Sequence, residues 1–244
     1  MQRKMRRGWQ LSLLVSGAVD NALCVRVARA IAALHGTPVT SPRHVTLSDI
    51  VGRLIAAKKV VGETHARCST TLRQTVDTLV NGAGLLNLNH EGTWHGDLHS
   101  NNILVSPTRI YLVDMDRVSV GPPVAELGSF LAELIYHACL SGEPLEAVRP
   151  TLIAVVDAYR QRASWPVAEQ DVAWFTASAL IYERALRCVT SLKVLRMDAV
   201  DNLIAAAAHI AGAGLFVGSA ELQSTAADHL VRATSRSGYA YATR

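Results

Sequence analysis

The sequence predicts a predominantly helical α+β protein with one small β-hairpin. Of its 244 residues, 50% are hydrophobic and 5% aromatic, a composition typical of a packed globular chain. Apolar residues recur with helical spacing along most of the chain, and the period changes over residues 103–113. There, two short apolar runs rich in β-branched residues flank a turn-forming Ser-Pro-Thr-Arg segment, which predicts a small buried hairpin.

Three helices are predicted before the hairpin. The first covers residues 19–35, with Asp20 placed to cap its start and Gly36 at its end. The second covers residues 46–62 and the third covers residues 69–82.

The helical pattern returns after Pro122 and continues towards the end of the chain. Pro144 and Pro166 each precede a new periodic segment, as expected at helix starts. Helices are predicted at about residues 124–140, 143–163, 167–194 and 198–212, with a further helix and a flexible tail in residues 218–244.

Charge and cysteine content limit the expected partners. The formal net charge is +4, and four basic residues within the first seven match it, so the rest of the chain is close to neutral and predicts no nucleic-acid partner. The four cysteines lack paired spacing and indicate reduced thiols of a cytoplasmic protein. Gln10 and Ser12 interrupt the apolar start, and the longest apolar run, residues 203–218, contains His209. We therefore expect neither export nor a membrane partner.

A polar motif stands where the helical pattern stops. Residues 95–104 read His-Gly-Asp-Leu-His-Ser-Asn-Asn-Ile-Leu, and an Asp-Met-Asp segment follows at residues 114–116. If the hairpin turns about Thr108, Asn102 faces Asp114 at its open end. These two side chains offer the oxygen ligands that Mg²⁺ prefers beside substrate phosphates.

Asp97 lies close to this expected metal pair, in a segment that Gly96 makes irregular. A carboxylate in this position can orient an acceptor hydroxyl and take its proton while a phosphoryl group is transferred. The sequence therefore predicts Asp97 as a catalytic base.

Two other interpretations of the motif predict different arrangements. Zinc binding by His95 and His99 requires a helix between them, whereas Gly96 and the paired asparagines favour a loop. A simple polar turn explains any one of these residues, but it does not explain the joint occurrence of His95, Asp97, Asn102 and Asp114.

The motif resembles the catalytic loop of protein kinases, H-x-D-x-x-x-x-N, and Val-Asp-Met-Asp stands where a kinase has Asp-Phe-Gly. The glycine after the first histidine, the second histidine and the D-x-D segment resemble the aminoglycoside phosphotransferase family in particular. The segment Val-Ala-Arg-Ala-Ile-Ala-Ala-Leu-His-Gly-Thr-Pro-Val, residues 27–39, also resembles a helix and turn of that family.

The resemblance implies a role for each matching residue. Asp97 is expected to be the catalytic base, and His95 is expected to support the catalytic loop. Asn102 and Asp114 are expected to bind Mg²⁺ and, through it, ATP. In the family an aspartate at the start of the next helix braces the loop, and here Glu126 occupies that place with a side chain one bond longer.

The resemblance covers about residues 8–217, the large C-terminal lobe of a protein-kinase-like fold. No G-x-G-x-x-G is present, and the helical pattern around Lys58 and Lys59 indicates a solvated helix face rather than a nucleotide-binding strand. We therefore expect the N-terminal β lobe to be absent from this chain, or to be supplied by a longer form or a partner chain. The expected organisation is a hinge-like start at residues 1–18, the large lobe at residues 19–217, and a terminal helix and flexible tail at residues 218–244.

These expectations define one enzymatic function and one alternative. The first is a Mg²⁺-dependent phosphotransferase that moves the γ-phosphoryl group of ATP to a hydroxyl of a small molecule. The alternative is a non-catalytic kinase-like lobe that acts as a binding or interaction module. The acceptor stays open at this point, with choline, homoserine, amino-sugars and antibiotics all compatible with the sequence.

Overall fold

The computed structural model describes residues 14–15, 18–41, 43–191 and 194–215. Most of the expected hinge-like start and the whole expected terminal helix and tail, residues 218–244, lie outside the described residues. Among the residues that the structure describes, no helix has both the length and the apolar character needed to span a bilayer.

The helices follow the sequence prediction closely. Asp20 caps the first helix by accepting a hydrogen bond from the Leu23 N–H at 3.1 Å, and Thr46 forms a capping box with Asp49 at the second. The α-helices are α1 (Asn21–His35), α2 (Leu47–Thr64), α3 (Ser69–Gly82), α4 (Pro123–Leu140), α5 (Leu145–Arg162), α6 (Glu169–Ala179), α7 (Leu186–Thr190), α8 (Val194–Met197) and α9 (Val200–Ala213).

The prediction of one continuous α-helix over residues 167–194 is wrong over residues 180–185. A π-helical segment, Leu180–Ala185, separates α6 from α7. Such a segment widens one turn of the helix and changes the direction of the side chains on it, and π-helical turns are frequent at functional sites. Apolar periodicity alone did not reveal it, since five of its six residues are buried and the helical run continues on both sides.

In the described ranges, six short strands form three antiparallel pairs. The predicted hairpin is present, but the pairs β1–β2 and β3–β6 were not predicted, because strands of two or three residues leave too little alternation in the sequence to detect. The strands are β1 (Leu14–Val15), β2 (Ala18–Val19), β3 (Gly92–Trp94), β4 (Ile103–Val105), β5 (Ile110–Leu112) and β6 (Ser119–Gly121), and β4 pairs with β5.

Helix α4 lies at the centre of the core. It packs against α6, while α1 packs against α5 and α9 contacts α3 and α6. Fifteen of the eighteen residues of α4 are buried. Any charged side chain on such a helix must find partners inside the protein, since an unpaired buried charge is strongly destabilising.

Lys58 and Lys59 lie on a helix, as the sequence predicted. Both belong to α2, and the Lys58 Nζ lies 3.1 Å from the Asp77 carboxylate of α3. They form no part of a nucleotide-binding strand.

Candidate active site

The hairpin brings the predicted metal ligands to one end, but with a different register from the one expected. Ile103 pairs with Leu112, so Asn102 lies opposite Val113 and not opposite Asp114. The prediction that Asn102 faces Asp114 directly is therefore wrong by one residue.

The turn explains the shift in register. Ser106 and Arg109 face each other, with the Ser106 N–H donating to the Arg109 carbonyl at 2.9 Å. The turn is thus centred between Pro107 and Thr108 rather than on Thr108. The Val113 N–H donates to the Asn102 carbonyl at 2.9 Å, so Asp114 follows directly after the last hydrogen bond of the hairpin.

Glu126, near the start of α4, holds the beginning of residues 95–104, the segment that the resemblance identifies as the catalytic loop. Its carboxylate accepts hydrogen bonds from the backbone N–H of His95 and of Gly96, both at 2.9 Å. The side chain is 4% exposed. The longer Glu126 side chain therefore braces the loop in the way that the resemblance expects of an aspartate. Both of its carboxylate oxygens take part.

A buried hydrogen-bond chain extends this brace to two other helices. The Glu126 Oε2 lies 3.0 Å from the His35 Nε2 of α1, and the His35 Nδ1 lies 2.6 Å from the Tyr159 hydroxyl of α5. Burial, and then the charge of Glu126, raise the pKa of Tyr159 well above its ordinary value, so its hydroxyl keeps its proton and can donate to His35. Three helices of the core, α1, α4 and α5, therefore meet behind the loop.

Gly96 makes the close packing of this loop possible. It has φ of +81°, and a Cβ built on it would lie 2.0 Å from the Arg117 carbonyl oxygen. Only glycine avoids both the steric overlap and the unfavourable backbone conformation.

Glu133, two turns further along α4, holds the second half of the loop. Its two carboxylate oxygens lie 3.1 and 3.2 Å from the Ser100 backbone nitrogen, which donates to them. Burial acts to raise the pKa of Glu133, but the neighbouring His137, the charge of Arg184 and the Ser100 N–H outweigh it and lower the pKa to about 2. The carboxylate is therefore charged at neutral pH.

Asn102 closes the loop on itself. Its Nδ2 donates to the Asp97 carbonyl at 2.9 Å, while its side chain is buried. Because the amide nitrogen is engaged, the Oδ1 is the atom left to bind a ligand, and it accepts no hydrogen bond from the described residues. This orientation fits the oxygen ligand predicted from the sequence.

His95 connects the loop to the strand that leads into Asp114. Its ring is fully buried, and the Nε2 lies 2.9 Å from the Val113 carbonyl, to which it donates. The residue stands at the base of the loop and fixes the distance between the loop and the Asp-Met-Asp segment. This position agrees with the supporting role that the resemblance gives it.

Asp114 adopts an unusual backbone conformation at an exposed position. Its φ is +68°, and it is the one residue other than glycine with positive φ among those the structure describes. Its side chain makes no hydrogen bond or ion pair with any described residue. Residues other than glycine in this region are rare and concentrate at functional sites.

Asp97 opens onto a pocket of about 200 Å³. Its side chain is half-buried and has no hydrogen-bond partner among the described residues. The pocket, named here the Asp97 pocket, is also lined by residues 182–184 of the π-helical segment. Its polar lining includes Arg53, His99, Ser129, Glu183, Arg184 and Arg187.

The sequence analysis assigned no role to most of these lining residues. Glu183 and Arg184 follow the catalytic loop by more than eighty positions, and no motif marks them. By contrast, Glu126 and Glu133 are seven positions apart on one predicted helix, so their shared face was visible in the sequence. That spacing was the available signal for Glu133 as a second brace.

The zinc interpretation finds no support in the geometry. Residues 95–99 are not helical, the His95 Nε2 is engaged by a carbonyl, and the His99 Nδ1 accepts from the Asn101 N–H at 3.2 Å. Within the described ranges, His95 and His99 belong to no cluster of three metal-ligating side chains.

The sequence model of the phosphotransferase enzyme family matches residues 8–170. This chain belongs to that family. The resemblance to aminoglycoside phosphotransferases, first drawn from residues 95–102 and 114–116, is thereby confirmed. A comparison with curated proteins found no sequence that matches this chain.

Solved structures with the same fold include several small-molecule kinases. A glucosamine kinase has 16% identity and a TM-score of 0.58, covering 82% of this chain and 53% of its own. A choline/ethanolamine kinase family protein from Mesorhizobium loti has 15% identity and a TM-score of 0.54, with coverages of 76% and 61%. A choline kinase from Streptococcus pneumoniae has 15% identity and a TM-score of 0.52, with coverages of 79% and 64%.

These likenesses confirm the protein-kinase-like fold that the sequence predicted. The chain spans between 53% and 64% of the length of these three structures. Each described strand pairs with one other strand. The described residues therefore contain no larger β-sheet of the kind that forms a kinase N-terminal lobe.

Proposed function

We propose that the protein is a Mg²⁺-dependent phosphotransferase that moves the γ-phosphoryl group of ATP to a hydroxyl of a small molecule. One observation carries the proposal. In a chain of the phosphotransferase enzyme family, the backbone around Asp97 is fixed at several points while its carboxylate is left unpaired at the edge of a pocket.

The unpaired carboxylate of Asp97 is the expected base. It accepts a hydrogen bond from the acceptor hydroxyl and takes its proton as the acceptor oxygen forms a bond to the γ-phosphorus. The bond between that phosphorus and the β,γ-bridging oxygen breaks, and ADP leaves with the electron pair. A carboxylate suits this task because the protein contributes mainly orientation and charge stabilisation to phosphoryl transfer.

Asn102 and Asp114 are the expected Mg²⁺ ligands. The free Oδ1 of Asn102 and the exposed, unpaired carboxylate of Asp114 are hard oxygen donors beside the same hairpin end. Bound there, Mg²⁺ neutralises charge on the phosphates of ATP. His95 is a positioning residue, because its hydrogen bond to the Val113 carbonyl fixes the backbone just before Asp114.

Asp97→Asn tests the assignment. We expect the full chain to transfer phosphate from Mg-ATP to at least one member of an alcohol panel of choline, homoserine, glucosamine and an aminoglycoside, measured by ³¹P NMR. Asp97→Asn should lower the rate by about 10²-fold or more, the range expected for loss of a general base. The matched control is Asp157→Asn, an exposed carboxylate on α5.

Two results would contradict the proposal. Turnover of Asp97→Asn at the wild-type rate would exclude Asp97 as the base. Absence of transfer in the panel, combined with acceptor binding, would favour the alternative of a non-catalytic binding module. That alternative draws support from the span of the chain, which is about half to two thirds of the length of these fold neighbours.

The proposed use of ATP and the four free cysteines are consistent with a cytoplasmic protein. Burial raises the pKa of Cys24 to about 12 and that of Cys139 to about 11, so neither thiol is a reactive nucleophile.

A further inference from the structure

The Asp97 pocket contains more unpaired positive charge than unpaired negative charge. Arg53 of α2 and Arg187 of α7 line it, and both are exposed side chains. Neither makes a hydrogen bond or an ion pair with any residue that the structure describes. Two long cationic side chains from different helices therefore meet at one pocket, and neither forms an ion pair with a described carboxylate. The charge of Arg53 acts only as a minor influence, after the hydrogen bonds from Thr46, in lowering the pKa of Asp49 on the same helix.

The carboxylates of the pocket are already engaged, with one exception. Glu126 is bound by the catalytic-loop backbone. Glu183 accepts a hydrogen bond from the Ser129 hydroxyl at 2.5 Å and lies 3.3 Å from the Arg184 Nη2. Of the carboxylates that line the pocket, Asp97 is the one without a partner among the described residues, and the proposed reaction requires it as the base.

Arg184 adds a third guanidinium to the lining of the Asp97 pocket. It is 5% exposed, and its Nη2 donates to the Ser129 carbonyl at 3.2 Å. Its Nε is buried and has no hydrogen-bond partner in the described part of the chain. A buried N–H group without an acceptor is costly, and a guanidinium readily satisfies itself with carboxylate or phosphate oxygens.

The π-helical segment explains why these groups meet at the pocket. Three consecutive residues, Tyr182, Glu183 and Arg184, all line it, and Arg187 follows from the next turn. In a regular α-helix consecutive residues point about 100° apart, so they rarely share one pocket. The widened turn therefore concentrates polar groups on the lining of the Asp97 pocket.

A second, larger pocket strengthens the positive character of this region. It has a volume of about 740 Å³ and shares Arg53, Trp94 and Gly96 with the Asp97 pocket. Arg117 lines it and has no ion pair among the described residues, and Asp116 is its one acidic lining residue.

We propose that Arg53, Arg187 and Arg184 bind an anionic group of the acceptor, a carboxylate or a phosphate. The acceptor is then a hydroxyl compound with a negative charge rather than a polycation. This inference rests on the proposed phosphotransferase function, and it names the substrate class of the same site. Arginine suits the role because its planar fork can bind two oxygens of one anion at once.

Matched probes of different charge test the inference. Binding to the full chain without nucleotide is measured by NMR titration with glucuronate, glucose and glucosamine, and again with glycerate, glycerol and serinol. Each series varies charge on a closely similar carbon skeleton. We expect the anion to bind most tightly in at least one series.

Removal of the two exposed arginines should abolish this preference. Arg53→Gln/Arg187→Gln should weaken binding of the preferred anion by at least about tenfold, because hydrogen bonds in which a partner is charged are roughly twice as strong as neutral ones. Arg73→Gln, an exposed arginine on α3 that lines neither pocket, is the matched control and should bind like wild type. The inference is wrong if the cation binds as well as the anion in both series, if no probe binds, or if the double variant matches Arg73→Gln.

Addition of Mg-ATP distinguishes the acceptor from the phosphates of the nucleotide. If the arginines bind the acceptor, Mg-ATP leaves the affinity for the anion unchanged or raises it. Competition between the two would assign the arginines to ATP and would overturn the inference.

The two proposals also fail in different ways. Transfer that depends on Asp97 but prefers a cationic acceptor would refute only the anionic class. Anion binding that depends on the arginines, without transfer to any alcohol, would refute the phosphotransferase function.

Discussion

Two sets of carboxylates surround the same loop and differ in burial and in bonding. Glu126 and Glu133 of α4 are 4% and 5% exposed, and both accept hydrogen bonds from loop N–H groups. Asp97 is half-buried and Asp114 is exposed, and the carboxylate of neither one has a partner among the described residues.

The difference separates groups that hold the loop from groups that are available to ligands. A buried carboxylate is tolerated only when protein donors replace its water, so Glu126 and Glu133 are committed to the loop. An exposed carboxylate without a protein partner keeps its oxygens for a metal or a hydroxyl. We therefore expect changes in the first set to lower stability and changes in the second set to lower ligand binding or activity with little effect on stability.

The largest effect on stability is expected where the loop packs most tightly against its surroundings. Gly96→Ala places a methyl group 2.0 Å from the Arg117 carbonyl oxygen and forces a backbone with φ of +81°. We expect the free energy of unfolding to fall by about 3 kcal/mol or more, through overpacking and backbone strain together. Urea unfolding monitored by circular dichroism measures this change.

Gly142→Ala separates the two causes. Gly142 has φ of +74°, but nothing lies within 4 Å of a Cβ built on it. That variant should lose only about 1 kcal/mol, the cost of the backbone conformation. Equal losses in the two variants would show that the contact between Gly96 and Arg117 does not constrain the loop.

The sequence predicted the position of the candidate site better than the residues that support it. The spacing of Asp97, Asn102 and Asp114 pointed to this loop, because phosphoryl transfer uses these residue types, and their individual roles stay predictions. The hairpin register was one residue off, because an apolar run does not show whether a turn is centred on Thr108 or between Pro107 and Thr108.

The helical core was predicted well for a related reason. Helix positions depend on local periodicity and caps, such as Asp20 at α1, and both can be read from neighbouring residues. The contact between Arg184 and Ser129 joins positions that are 55 apart in sequence, and it depends on how α4 packs against the π-helical segment. No local pattern encodes that packing, so the arginine-lined pocket required the structure.

A pH-dependent effect should distinguish Glu133 from the unpaired carboxylates. Folding lowers the pKa of Glu133 from its ordinary value of 4.5 to about 2, so the unfolded chain binds the proton more readily between these values. The carboxylate therefore contributes stability that is complete above about pH 5 and disappears as the pH falls towards 2, on the order of 3 kcal/mol in total.

Glu133→Gln removes this titration. We expect the free energy of unfolding to fall less steeply between pH 5 and pH 3 in the variant than in wild type, as measured by urea unfolding at each pH. Asp77→Asn is the control, since its exposed pair with Lys58 contributes at most about 1 kcal/mol. Parallel curves for wild type and Glu133→Gln would contradict the assigned role of Glu133.

The smallest effect on stability is expected at Asp114, where the effect on ligand binding should be greatest. In Asp114→Gly, relief of the backbone at φ of +68° offsets the added flexibility of glycine, so we expect the free energy of unfolding to stay within about 0.5 kcal/mol of wild type. Binding of Mn²⁺, followed by electron paramagnetic resonance as a probe for the Mg²⁺ site, should be lost.

Asp116→Gly is the control, because Asp116 is exposed, lies two positions further along and does not have positive φ. This variant should lose about 0.5–1 kcal/mol of stability and keep more of the Mn²⁺ binding. If Asp114→Gly instead retains the ion and loses stability, its carboxylate belongs with Glu126 and Glu133 as a structural group, and the division between the two sets fails at this residue.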